Sequence, residues 1–334
     1  MTVTAKKIAE TLGLSEATVS IVLNHKEGVN RATRKMVLDA AIEMGYDFSR
    51  GAAKYGRKGT ICLVLYKKSG AVVCDTPFFS ELLQGIKIEC RGQHYDCVVR
   101  TFFEDENILH QIYTLYNLRF SGIILLATEM NEYSLKNFAN ISIPVLILDA
   151  YFDKLAYNYV VINNVQGAFT ATDYLFKRRK KQPGYLRSMY PISNFEQRAN
   201  GFYQAIRENG MSASKSIVHR LTPSQEGAYE DMKTLLLNGE EPADCYFADN
   251  DLIAVGALQA FSEAGYRVPG DIGIVGFDDL PACERTSPKL STVEVPKYFM
   301  GVTAAKRIIE MIEDKDTLPL KIEVSTKLIA RKSI

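Results

Sequence analysis

Apolar residues in the first 45 positions recur every three or four residues: Ile8, Ala9 and Leu12, then Val19, Val22 and Leu23, then Val37, Leu38, Ala41 and Ile42. That period predicts three short amphipathic helices. Gly13, between the first two, permits the positive backbone dihedral of a tight turn, and Ser15 is placed to cap the second helix. Asn30 is placed to cap the third, which ends near Gly45. After Gly59 the pattern changes. ICLVLY (61–66) is an uninterrupted apolar run, as expected of a strand buried on both faces of a parallel sheet. Helical signals around 79–91, near 105–117 and near 132–139 then alternate with YDCVVR, GIILL and PVLILD. A second series begins after about residue 162, with strands at GYL, SIVHR, DCYFA and IGIVGF separated by amphipathic helices. Such alternation predicts right-handed βαβ units in two doubly wound sheets facing each other across a cleft.

Around the Gly13 turn, the outward positions of the second helix are Glu16, Ala17, Thr18, Ser20, Ile21 and Asn24, a row of mostly small side chains. This is the logic of a helix-turn-helix whose second helix enters the DNA major groove. Charge supports it. Residues 1–59 hold ten Lys or Arg against six Asp or Glu, a formal +4, so a total of +1 leaves −3 for the remainder. A basic head on a mildly acidic body suits phosphate contact.

Composition removes several classes. There is no charged-then-apolar leader and no apolar run of membrane-spanning length, which predicts a soluble cytoplasmic protein. The six cysteines (62, 74, 90, 97, 245, 283) form no CxxC or Cys/His cluster, so reduced, mostly buried thiols are expected, without a zinc site or a disulfide framework. With no glycine-rich phosphate loop and no nucleophile–base pair, neither a cofactor nor an enzyme activity is expected.

Open α/β sheets bind ligands beyond the carboxyl ends of their strands. Asp149 closes PVLILD, Asp249, Asn250 and Asp251 follow CYFA, and Asp278 and Asp279 follow GIVGF. Arg198 opens the RANGF pattern, and Phe78 and Phe79 in TPFF can wall a sugar ring. Carboxylates with a guanidinium suit a polyhydroxylated ligand such as a sugar. Each residue has a plainer alternative. Asp251, Asp278 and Asp279 can cap turns, and the two phenylalanines can be ordinary core.

The runs VTAKKIAETLGLSEATVSIVLN and VNRATRKMVLDAAIEMGY resemble the DNA-binding head of the lactose/galactose repressor (LacI/GalR) family. The resemblance continues through TPFFSELLQGI, RANGF, DNDLIAVGALQAF and VPGDIGIVGFDDLP, in order, over essentially the whole chain. It implies an N-terminal all-α helix-turn-helix head over 1–48 and a hinge helix and linker over 49–59. The α/β core of 60–334 would then be two doubly wound parallel-sheet subdomains of the periplasmic-binding-protein type I, crossed three times by the chain. The N-subdomain is expected over about 60–161 and 293–318, and the C-subdomain over about 162–292 and 319–334. By motif, Arg198, Asn250 and Asp278 fall on the family's effector positions, with Asp149 a looser match.

In the head, Glu16 and Ala17 occupy the positions that most often read bases. Thr4, Ser15, Thr18, Ser20, Asn24, Asn30 and Thr33 are expected as phosphate or positioning contacts. The family's usual TVSRVLN reads TVSIVLN here, so Ile21 offers a thymine methyl an apolar contact but no hydrogen bond. The hinge departs too: Phe48-Ser49 stands where Pro-Asn is usual and Tyr55 where a leucine wedges the minor groove. Arg50, Lys54, Arg57 and Lys58 are expected at phosphates. Gly51 lowers hinge-helix propensity by roughly 1 kcal/mol relative to Ala, so hinge order is expected only on DNA.

The implied partners are an operator duplex, a small-molecule effector and a second copy of the chain. No heptad tail follows KIEVSTKLIAR, so a homodimer is expected rather than a tetramer. The competing readings are a regulator gated by a protein co-effector and a solute-binding protein without DNA function.

Overall fold

The computed structural model describes residues 3–23, 28–44, 46, 57–73, 76–314 and 317–334. Three helices form the head: α1 (Ala5–Leu12), α2 (Glu16–Leu23) and α3 (Arg31–Glu43). Each begins at a polar cap. The Thr4 hydroxyl accepts from the Lys7 amide at 3.3 Å, Ser15 from Thr18 at 3.1 Å, and Asn30 from Thr33 at 2.8 Å. Gly13 ends α1 at φ +64°, where a side chain would be strained. Ile8, Ala9, Val19, Val22, Leu23, Val37, Ala40 and Ala41 make a small core of their own.

The body holds two parallel sheets. β1 (Gly59–Lys67), β2 (Tyr95–Phe103), β3 (Gly122–Leu126), β4 (Val145–Leu148) and β5 (Asn158–Ile162) belong to a six-stranded sheet with α4 (Pro77–Gly92), α5 (Ile108–Asn117) and α6 (Glu132–Lys136). The chain then crosses through α7 (Asn164–Arg179) into a four-stranded sheet of β6 (Gly184–Ser188), β7 (Val218–Leu221), β8 (Cys245–Ala248) and β9 (Gly273–Val275). α8 (Ser193–Glu208), α9 (Gln225–Leu237), α10 (Asp251–Glu263) and α11 (Ala282–Arg285) connect those strands and follow them. β10 (Thr292–Glu294) leads to α12 (Lys297–Glu313), which returns to pack on α4, β3 and β4. β3, β4 and β5 are wholly buried, and β1 is buried over residues 61–64, as their continuous apolar runs require when helices cover both faces.

The third crossing falls later than the sequence suggested. Residues 319–334 were expected in the C-subdomain, but β11 (Lys321–Val324) pairs in parallel with β5 and forms the edge of the six-stranded sheet. Only after it does the chain cross, so that β12 (Lys327–Ile329) pairs with β10. Asn158 fixes this edge by accepting from the Leu320 amide and from Arg307 Nε. Arg57 and Lys58, expected at phosphates, pair with the body in the free protein. Arg57 lies 3.5 Å from Asp96, and Lys58 pairs with Glu313 at 2.6 Å, so both are tied to the body. Among the described residues no helix is long and apolar enough to cross a membrane.

Candidate functional sites: an exposed helix face and a buried cleft

On α2, burial of Val19, Val22 and Leu23 turns the other positions outward: Glu16 and Ala17 are exposed, and Thr18, Ser20 and Ile21 are half-buried. Thr4 and Asn30 are exposed at the starts of α1 and α3, and Thr33 is half-buried. Three of these expected contacts already serve as helix caps. Their hydroxyl and amide groups therefore sit at helix N-termini, where the helix dipole and early amides favour an anion such as a phosphate. Asn24, Arg50, Lys54 and Tyr55, also expected at DNA, lie outside the described residues, as do Phe48, Ser49 and Gly51.

The carboxyl ends of β3, β4, β6, β8 and β9 converge on a narrow cleft that is partly open to solvent. Phe78, Phe79, Asp149, Arg198, Asn250 and Asp278 all line it, so the structure brings together all six residues expected at an effector. Phe78 and Phe79 start α4 with their rings edge to face at 5.0 Å, and both also belong to the main core. Arg198 does not open its helix. It sits one and a half turns into α8, a register set by the start of that helix at Ser193.

Arg198 is 3% exposed, lines the cleft, and has a partner on each of its three guanidinium nitrogens. Nε donates to Asn164 Oδ1 at 2.9 Å, Nη1 to the Asp249 carbonyl, and Nη2 to Asp278 Oδ1 at 3.1 Å. Its Cζ lies 3.8 Å from the Phe277 ring centroid, a cation–π contact. Asp278 has a φ of +107°, a conformation that L residues rarely adopt. It is held there by its own amide donating to the Val293 carbonyl and by Lys297 Nζ donating to its carbonyl at 2.7 Å. Backbone strain of about 1–3 kcal/mol persists only where the surroundings impose it, and it gathers at functional sites. Asp149 has φ +61° and takes Thr128 Oγ1 on one carboxylate oxygen and Asn194 Nδ2 on the other, at 2.6 and 3.0 Å. Because Asn194 is on α8, that second bond joins the two subdomains directly.

Burial dominates the titration of these carboxyls. It pushes Asp149 up to about 6, against the pull of Thr128 and Arg198. Asp249 rises to about 7 although it accepts from Tyr185 Oη and from the Ser188 amide. Asp251 also rises to about 7, with nearby Asp278 adding to the effect of burial. Asp278 is raised by burial, with Arg198 opposing.

Asp251 and Asp279 take the plainer role. Asp251 accepts from the Leu280 amide and from Thr292 Oγ1, pinning the loop after β9 to α10. Asp279 pairs with Arg331 at 2.8 Å. Asn250 has both roles open: Oδ1 caps α10 by accepting from Ile253 at 2.9 Å, and the amide nitrogen is what it can present to a ligand.

Thr128 and Asn194 line the cleft and were missed in the sequence. Both carried a signal. Thr128 follows the GIILL strand by two residues, at the same carboxyl edge as Asp149. Asn194 precedes Arg198 by four residues, hence shares its helix face.

A sequence profile described as bacterial regulatory proteins, lacI family, matches residues 4–48, and one described as a periplasmic binding protein-like domain matches residues 172–334. The chain is 30% identical over 335 residues to the HTH-type transcriptional repressor PurR of Pasteurella multocida (strain Pm70), covering 99% of this chain and 98% of that one. Its fold resembles a transcriptional regulator CelR–cellobiose complex at TM-score 0.75 and 24% identity, over 99% of both chains. It likewise resembles the Lac repressor dimer bound to operator and the anti-inducer ONPF, at TM-score 0.72 and 23% identity, over 100% of this chain and 99% of that one. With a capped three-helix head matching one profile, the later part of the body matching the other, and a relative 30% identical over 99% of the chain, the chain belongs to the lacI family of bacterial regulatory proteins.

Proposed function

We propose that this protein is a dimeric transcriptional repressor whose affinity for a near-palindromic operator is set by a small polyhydroxylated metabolite, such as a sugar, bound in the cleft. The observation that carries this reading is one chain holding both an outward α2 face and a cleft where Asp149, Arg198 and Asp278 meet from both subdomains. Two-fold symmetry would place two α2 helices in successive major grooves, and Glu16, Ala17 and Ile21 would read bases. Glu16 can accept from a cytosine amino group, and Ile21 can cover a thymine methyl. In the cleft, Asp149 and Asp278 would accept from ligand hydroxyls, Arg198 and the Asn250 amide would donate, and Phe78 and Phe79 would cover the apolar ring face. The ligand changes operator affinity by as much as it prefers one arrangement of the subdomains, since coupling equals that difference in affinity.

The test selects an operator from random duplexes and follows its binding by fluorescence anisotropy against D-ribose, D-galactose, cellobiose and purine bases. At least one ligand should shift the operator midpoint severalfold. Asp278→Ala should remove that shift while leaving operator affinity within about twofold. A normal response in that variant would move the ligand elsewhere, and a monomer by native mass measurement would overturn the dimer. If no metabolite produces heat or a melting shift, a protein co-effector becomes the better reading.

A further inference from the structure

Glu129 follows β3 and is 5% exposed, yet it has no place in ligand contact or in the core. Its carboxylate faces the loop after β1. Oε2 accepts from the amides of Lys68, Ser69 and Gly70 at 2.8, 2.9 and 3.0 Å. Oε1 accepts from Val72 and Val73, both at 2.8 Å. Five amides of one short loop thus converge on a single side chain, a concavity of the kind that elsewhere takes up a free anion. Gly70, at φ +69°, supplies the left-handed turn that lets consecutive amides face inward. The loop so held forms part of the cleft: Val72 lines it, and Val73 packs in the same core cluster as Phe78 and Phe79. The neighbour of Glu129 on the other side is Thr128, which holds Asp149.

We propose that Glu129 is a positioning residue for the effector cleft, a built-in anion that folds loop 68–73 around itself and so fixes the Val72 side of the ligand site. The proposal rests on the cleft being the effector site. Without the carboxylate, five amides would turn to water and the wall would lose its shape. A free carboxylate small enough to enter the vacated space would restore both.

The experiment uses full-length Glu129→Ala, with formate as the probe anion and chloride at equal ionic strength as the control. Amide hydrogen exchange at residues 68–73 and 79–82 should run at least tenfold faster in the variant than in the wild type. Sodium formate at tens of millimolar should return it towards the wild-type rate. Glu129→Gln fills the same space but keeps an acceptor for only one of the two amide groups and turns an NH2 donor towards the other, so that group should exchange fast and ignore formate. Melting shifts by D-ribose, D-galactose or cellobiose should follow the same order. Wild-type protection in Glu129→Ala, or lost protection that formate does not restore, would overturn the proposal. A wild-type protein that responds to none of these sugars overturns the sugar reading instead, and the exchange rates still decide the role of Glu129.

Discussion

The two candidate sites are built on opposite principles. The α2 face is supported locally: the Ser15 cap reaches only to Thr18, and Glu16 and Ala17 face solvent. In the cleft, Arg198 has partners from α7, from the end of β8 and from the loop after β9, at sequence distances of 34, 51 and 80 residues. A DNA-reading surface can exchange side chains without disturbing its support. The cleft cannot, because each of its polar groups completes the hydrogen bonding of another. The difference teaches where specificity can drift freely and where it is bound to stability.

That contrast breaks most visibly at Arg198. Arg198→Ala should destabilise the body by about 3–5 kcal/mol, the usual cost of leaving a buried charge without its partner. A two-step calorimetric unfolding of the full chain should show the body transition shifted and the head transition unmoved. Equal shifts in both would mean that the sites share one cooperative unit.

pH sharpens the same contrast. Asp149, Asp249 and Asp251 have folded-state pKa values above the unfolded value near 4, so these three carboxyls bind more protons in the native body than in the unfolded chain over the window from about 4 to 7, opposed only in part by buried His219, whose pKa burial lowers. Stability therefore falls as pH rises through that window. Lowering pH from 8 to 5 should stabilise the body by several kcal/mol, on the order of 6 if the three carboxyls titrate independently. A urea midpoint that drops across this range would contradict the assignment.

Two smaller effects belong to the head. Ile21→Arg should change preference at one operator base pair by roughly 1–3 kcal/mol, read by competition between selected duplexes. It should leave the body transition and the effector midpoint alone. Ser15→Ala should cost the head about 1 kcal/mol through the lost cap, visible as a lowered first transition.

The head was legible almost residue by residue, because its determinants are short-range. Gly13 turns, and Ser15 and Asn30 cap, within three or four positions of the groups they serve. The cleft residues were legible for a related reason: Asp149 and Asp278 each end an apolar run, Asn250 stands two residues after one, and strand ends are where such sheets bind. Other features had no local mark. KIEV alternates polar and apolar residues, which marks an edge strand but does not say which sheet takes it. Its partner β5 lies some 160 residues earlier, and the choice depends on Asn158 meeting Leu320 and Arg307. Glu129 reads as one more acidic residue in a polar turn. Nothing nearby in sequence shows the five amides that surround it.

The amino-acid sequence by itself determined the class of this protein: a small capped helical head and alternating strands and helices whose ends carry carboxylates. Those features follow from periodicity and from hydrogen bonds that close within one turn of chain. Only the tertiary structure decided that Asn194 joins Asp149 across the subdomains, that Lys321–Val324 completes the first sheet, and that Glu129 organises the loop after β1. These contacts satisfy buried polar groups, and which groups are buried together is a property of the whole packed molecule.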